Sequence, residues 1–213
     1  MTGFAQIILL APAILLALTV HEYAHGLIAW KLGDNTAKQM GRLTLNPLAH
    51  LDPIGTIMLF VVHFGWAKPV PVNPYNLHNP KRDIIWVSLA GPFSNIITAL
   101  LIGLVMQVLI MMKMVALMGT VFYVLNFAVF INLMLAFFNL IPIPPLDGSK
   151  VLASLLPYRY LSWWYEFEKY GFLVLIGIII LGRFTGFPIF GMTIFPLSRL
   201  FYSLFTGGAP SYF

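Results

Sequence analysis

Long apolar runs alternate with short polar stretches from one end of the chain to the other. The runs fall at about Phe4–Trp30, Ile54–Trp66, Ile84–Met112, Val115–Leu140, Tyr170–Leu181 and Pro188–Phe205. No water-facing stripe interrupts them, so the pattern is that of helices packed in lipid rather than around a soluble core. A spanning helix needs roughly 20 apolar residues. The run from Ile54 to Trp66 is too short for that. Pro53 and Gly55 open it, and the Pro-rich stretch Lys68-Pro69-Val70-Pro71-Val72-Asn73-Pro74 closes it. A re-entrant or β-hairpin segment fits it better than a crossing, and such backbone is tolerated where protein or a water-filled cavity surrounds it. The expected fold class is an all-α polytopic membrane protein. It has about five spanning helices plus one short re-entrant or β-hairpin segment, as a single membrane-embedded domain over residues 1–213.

Composition strengthens this reading. The chain is 60% hydrophobic and 9% charged, against about 25% charged in ordinary soluble domains. Its net charge of +5 resides in the stretches between runs. Nine of the twelve Lys and Arg, from Lys31 to Lys169, fall on one predicted side. By the positive-inside rule that side faces the cytoplasm, in a multi-pass protein of the cell membrane. No basic patch is interleaved with exposed aromatics, so nucleic acid is not an expected partner; the lipid bilayer is. Met1–Phe4 carries no positive charge and no small-x-small cleavage site follows, so the first run is expected to be retained. The aromatic cluster Trp163-Trp164-Tyr165 suits the membrane interface.

There are no cysteines, so any metal site must be built from His, Asp and Glu. His21-Glu22-Tyr23-Ala24-His25 is an H-E-x-x-H motif at the cytoplasmic end of the first run. Residues i and i+4 share one helix face, so two imidazoles one turn apart can hold one zinc ion. Glu22, between them, can act as general base toward a zinc-activated water. Ionisable groups in apolar helices are costly and mark function by default. Solvation of all three side chains at headgroup level is the bland alternative. Catalytic zinc takes three protein ligands and leaves one position open. Asp147 is the candidate third ligand: it ends another spanning run at the same predicted depth. Pro142, Pro144 and Pro145 break the helix before it and Gly148 permits a tight turn after it. A turn aspartate capping a helix that begins near Ser149 is an equal alternative.

The motifs H-E-x-x-H, Gly91-Pro92-Phe93-Ser94-Asn95 and Asn139-x-x-Pro142-x-x-x-Leu146-Asp147-Gly148 occur in this order on successive membrane segments. With Gly41–Pro47 and Trp66–Pro74, the pattern resembles the site-2 protease family of intramembrane metalloproteases, in its compact bacterial and archaeal form without a PDZ domain. The resemblance runs from about His21 to Gly148. It implies one zinc per chain on His21, His25 and Asp147, with Glu22 as base. It also implies that Asn139, and Asn95, hold the substrate backbone or the oxyanion. Interhelical packing is the alternative for Asn95, since Gly91, Ser94 and Asn95 suit close helix contact.

The expected activity is zinc endopeptidase cleavage in or near transmembrane segments, on a membrane-protein or signal-peptide-like substrate. Trp66–Leu77 is either an edge strand that grips an extended substrate or a Pro-rich interfacial loop. The alternative activity is a metal or ion transporter using the same His and Asp cluster, although no internal repeat is visible. His50, His63 and His78 have no ligand spacing. Asp34 and Asp52 read as turn residues.

Overall fold

The computed structural model describes residues 3–55, 57, 67–114, 119–185 and 189–209. The long apolar runs form helices α1 (Gly3–Lys31), α3 (Pro80–Met111) and α4 (Gly119–Asn139). A short helix, α2 (Thr36–Gln39), follows α1. The C-terminal part holds α5 (Asp147–Leu155), α6 (Tyr158–Glu168), α7 (Gly171–Thr185) and α8 (Ile189–Thr206). Among the described residues there is no strand, only an isolated antiparallel bridge between Leu51 and Ala67. The expected all-α membrane class is thus the observed one.

Helices α1, α3 and α4 are long and apolar enough to cross a membrane. At about 1.5 Å per residue, the 32 residues of α3 reach roughly 48 Å. Helices α7 and α8, at 15 and 18 residues, are shorter, so length and composition alone carry three of the five expected crossings. The expected re-entrant or hairpin segment lies mainly outside the described residues. Its flanks are close in space: the Lys68 N–H donates to the His50 carbonyl at 2.9 Å. Residues 67 and 68 thus lie beside residues 50 and 51.

Three devices shape the bundle. Helix α3 begins with Pro80 and with Asp83, whose carboxylate accepts the Asn79 N–H at 2.8 Å. This satisfies a donor that the helix start would otherwise orphan. Prolines 12, 92 and 196 lie inside helices, which neighbouring helices make tolerable in lipid. Helices α1, α3 and α4 pack on one another, and α8 packs on α3 and α4. Met106, Phe122, Val129, Leu133 and Tyr202 fill the seam. A side chain at Gly103 would run into the Phe205 carbonyl at 2.6 Å, so glycine is what lets α8 approach α3.

Asp34, expected as a simple turn residue, is the fastener between α1 and the Pro-rich stretch. It is fully buried. One oxygen accepts the Thr36 N–H and hydroxyl and the Asn76 amide; the other accepts the Asn73 N–H at 2.7 Å. Burial pushes its pKa up, but the hydrogen bonds from Thr36, Asn73 and Asn76 outweigh this and hold it below the ordinary carboxylate value. A depressed carboxyl stabilises the fold above its unfolded pKa of about 3.9, and the effect fades as pH falls through the folded value. Replacing Asp34 by Asn should therefore cost roughly 2–3 kcal/mol at neutral pH. The gap from wild type should narrow below about pH 4. Thermal melts in detergent at several pH values test this, and a gap that stays constant down to pH 3 would refute it.

Candidate metal centre

His21 and His25 lie one turn apart on α1 and face α3. Asp147 reaches them from the first turn of α5, 122 residues further on. The turn between α4 and α5 explains how. After Asn139, the prolines at 142, 144 and 145 cannot extend α4. Gly148 then packs against the Leu140 and Ile141 carbonyls so closely that any side chain there would collide with them. The chain is folded back on the end of α4, and Asp147 is carried inward, 5% exposed. Its side chain does not cap α5, which removes the alternative the sequence left open.

Three ligand-type atoms converge. His21 Nε2, His25 Nε2 and Asp147 Oδ2 are each 3.1 Å from the other two. The opposite ring nitrogens fix the tautomers. His25 Nδ1 lies 2.7 Å from the Val87 carbonyl, which can only accept, so the proton is on Nδ1. His21 Nδ1 lies 2.7 Å from Asn95 Oδ1 and donates to it. With both rings neutral, the two Nε2 atoms then present lone pairs to each other and to the carboxylate oxygen. Three acceptors at this spacing repel unless a proton or a metal cation lies among them. Ligands of a tetrahedral zinc, at about 2.0–2.1 Å from the ion, stand about 3.3 Å apart, so the donor set and its spacing fit zinc. Space is kept by Gly91: a Cβ there would fall on His25 Nε2 and stand 2.7 Å from His21 Nε2. The other oxygen of Asp147, Oδ1, is engaged by the half-exposed Lys150 at 3.3 Å, which leaves Oδ2 for the centre.

The trio opens onto a cavity of about 780 Å³. Glu22 lines it, with one carboxylate oxygen accepting the Val70 N–H at 2.8 Å. Val70 and Val72 form one wall, and Trp164 and Tyr165 of α6 part of another. Asn139 is at the cavity, donating one amide hydrogen to the Leu135 carbonyl. Asn95 is not on its lining. It is fully buried, its oxygen on His21 and its amide nitrogen on the Ala17 carbonyl and Asn132. His50 is packed, its ring bonded to the Thr44 carbonyl. His63 is outside the described residues. Sequence reasoning missed Asn132, Lys150 and the Val70 N–H. Asn132 carried a usable signal, being a polar residue inside an apolar helix.

An H-E-x-x-H pair and a distant aspartate that could together hold a metal, gathered in an apolar helical bundle, suit a membrane zinc metallopeptidase, and comparison with known proteins agrees. A family profile, Peptidase family M50, matches residues 105–182. YwhC of Bacillus subtilis (strain 168) is 39% identical over 202 residues, covering 92% of each chain. Rip2 of Mycolicibacterium smegmatis is 31% identical over 178 residues, covering 81% of this chain and 67% of its own. Both carry the name "Putative zinc metalloprotease". No solved structure matches the chain. The chain belongs to peptidase family M50, the site-2 protease family. Family membership decides for a peptidase over the transporter alternative.

Gly91→Ala tests the centre's geometry. Its methyl group would displace the imidazole nitrogens, so bound zinc per purified chain should fall roughly tenfold or more while far-UV circular dichroism stays helical. A full zinc complement in this variant would contradict the arrangement described.

Proposed function

We propose that this chain is a single-domain zinc endopeptidase that cleaves peptide bonds in or near transmembrane segments of membrane proteins or signal-peptide-like remnants. On this reading one zinc per chain is held by His21, His25 and Asp147. The carrying observation is the convergence of three lone-pair atoms of fixed orientation at the wall of a cavity that also holds Glu22. When bound, zinc supplies Lewis acidity, which makes water a nucleophile near neutral pH and polarises a carbonyl.

The chain's residues do the rest. Glu22 takes a proton from the attacking water at the oxygen not occupied by Val70, then returns it to the leaving amine. The Val70 N–H keeps that carboxylate turned toward the cavity. Asn139, with one amide hydrogen still available after its bond to Leu135, stabilises the developing oxyanion. An extended substrate lies along Val70–Val72, pairing backbone to backbone as an added strand would. The distribution of Lys and Arg supports a cell-membrane location with the cavity toward the cytoplasm, where water is at hand.

The test is zinc content and cleavage of a model transmembrane substrate by purified protein. Wild type should bind one zinc per chain and cleave. Glu22→Gln should keep zinc and lose roughly 10²–10⁴-fold in rate; Asp147→Ala should lose both. A wild type that binds no zinc would overturn the proposal. The gripping role of the Pro-rich stretch has its own test. Val72→Pro removes a backbone N–H, so cleavage should slow with zinc content unchanged. Unaltered cleavage of every substrate would reject that role.

A further inference from the structure

Each imidazole of the trio donates its outer N–H to something, but the two acceptors differ in kind. His25 uses the Val87 backbone carbonyl, which no substitution removes. His21 uses a side chain, Asn95, which sits 74 residues away on α3. That amide has an oxygen face and a nitrogen face, and only the oxygen face is useful to a ring that must donate. If the amide were turned over, its N–H₂ would confront Nδ1. The ring would then carry its proton on Nε2, where the lone pair is needed.

Two acceptors keep the amide from turning. Asn95 Nδ2 donates to the Ala17 carbonyl at 2.9 Å and to Asn132 Oδ1 at 2.8 Å. The orientation of Asn132 is in turn set by its own Nδ2, which donates to the Ala128 carbonyl at 2.8 Å. The sequence of bonds is thus Ala128 carbonyl, Asn132, Asn95, His21, with every donor direction traceable to a backbone carbonyl. Both asparagines are 0% exposed. Two buried amides in an apolar bundle are costly to keep unless bonded, and here their four side-chain hydrogen bonds form one chain that ends on one imidazole.

We propose that Asn95 and Asn132 are positioning residues, a two-amide relay that fixes the tautomer of His21 and thereby sets the zinc affinity of the centre. This rests on the reading that His21 holds zinc. Outer partners of metal-binding histidines typically change affinity by about 10–100-fold when removed. Asn132 acts only through Asn95, so its effect vanishes once Asn95 is gone.

The experiment measures zinc dissociation constants of the detergent-solubilised full chain by chelator competition, with thermal stability of the metal-free protein in parallel. Asn95→Leu should weaken zinc binding roughly 10–100-fold. Asn132→Leu should weaken it less, since the Ala17 carbonyl still holds Asn95. The double variant should bind no more weakly than Asn95→Leu. Asn95→Asp is the variant that separates the relay from mere packing. It keeps an oxygen on His21 but confronts Ala17 and Asn132 with a second oxygen. It should therefore melt earlier yet bind zinc within about threefold of wild type. Loss of affinity in Asn95→Asp equal to that in Asn95→Leu would reduce both residues to structural packing. So would Asn132→Leu adding its full effect in the double variant, or Asn95→Leu binding like wild type. His21→Ala serves as reference: if it binds zinc as wild type does, the ligand assignment itself has failed, and the relay falls with it.

Discussion

Everything in this molecule is arranged around three lone pairs that would repel one another. Two imidazole nitrogens and a carboxylate oxygen stand 3.1 Å apart in a buried pocket of an apolar bundle. With both rings neutral, such a cluster is costly to bury, and the half-exposed Lys150 on the outer oxygen of Asp147 relieves only part of that cost. A bound cation turns the same cluster into a favourable one, and the free energy of metal binding then contributes to the fold. The surroundings hold the cluster, and Glu22 beside it, in place. Gly91 brings α3 against the imidazoles, the prolines and Gly148 turn Asp147 inward, and Val70 steadies Glu22.

The glycines and prolines matter because they decide where backbones meet. In lipid there is no hydrophobic force between helices, so close approach at small residues and buried hydrogen bonds carry association. Gly91 and Gly103 lie on the same helix and receive different neighbours, the imidazoles of α1 and the end of α8. One helix, α3, thereby positions both the metal centre and the C-terminal helix. Asp34 performs the matching task on the polar side, where charge-assisted hydrogen bonds replace close packing.

Legibility in the sequence followed the range of the interactions. The long helices were readable because apolar runs need no knowledge of their neighbours. His21 and His25 were readable because i, i+4 spacing is local. Asp147 was only half readable. Spacing and prolines made it a candidate, but a cap and a ligand look alike until the turn closes on Leu140. Asn95 shows the limit most clearly. Its motif marked it as polar and left two places open, beside the substrate or in an interhelical contact. The fold gives all its side-chain hydrogen bonds to α1 and α4, the interhelical place. Its partner Asn132 is 37 residues away on another helix, a pairing no local pattern encodes. Asp34 was similar: a Gly-Asp pair reads as a turn, and its reach to Asn73 and Asn76 depends on the chain returning after the segment near residue 66.

That return also brings one short stretch against Glu22, beside the His21, His25 and Asp147 trio. Lys68 is tied to His50 by its N–H, and the Lys68 and Pro69 carbonyls accept the Arg42 guanidinium. Val70 donates to Glu22, and Asn73 donates to Asp34. Pro69 and Pro71 have no N–H at all. The stretch is therefore extended and bonded at both ends, yet it is held by side chains and loops rather than by a neighbouring strand. An extended segment held in this way still has backbone to offer to another chain. A transmembrane substrate must give up its own helical hydrogen bonds before any bond in it can be attacked. On the proposed function, replacement bonds along Val70–Val72, beside Glu22, would offset that loss. Glu22 and the Val70–Val72 backbone are coupled through a single hydrogen bond, so a shift of the stretch moves both together.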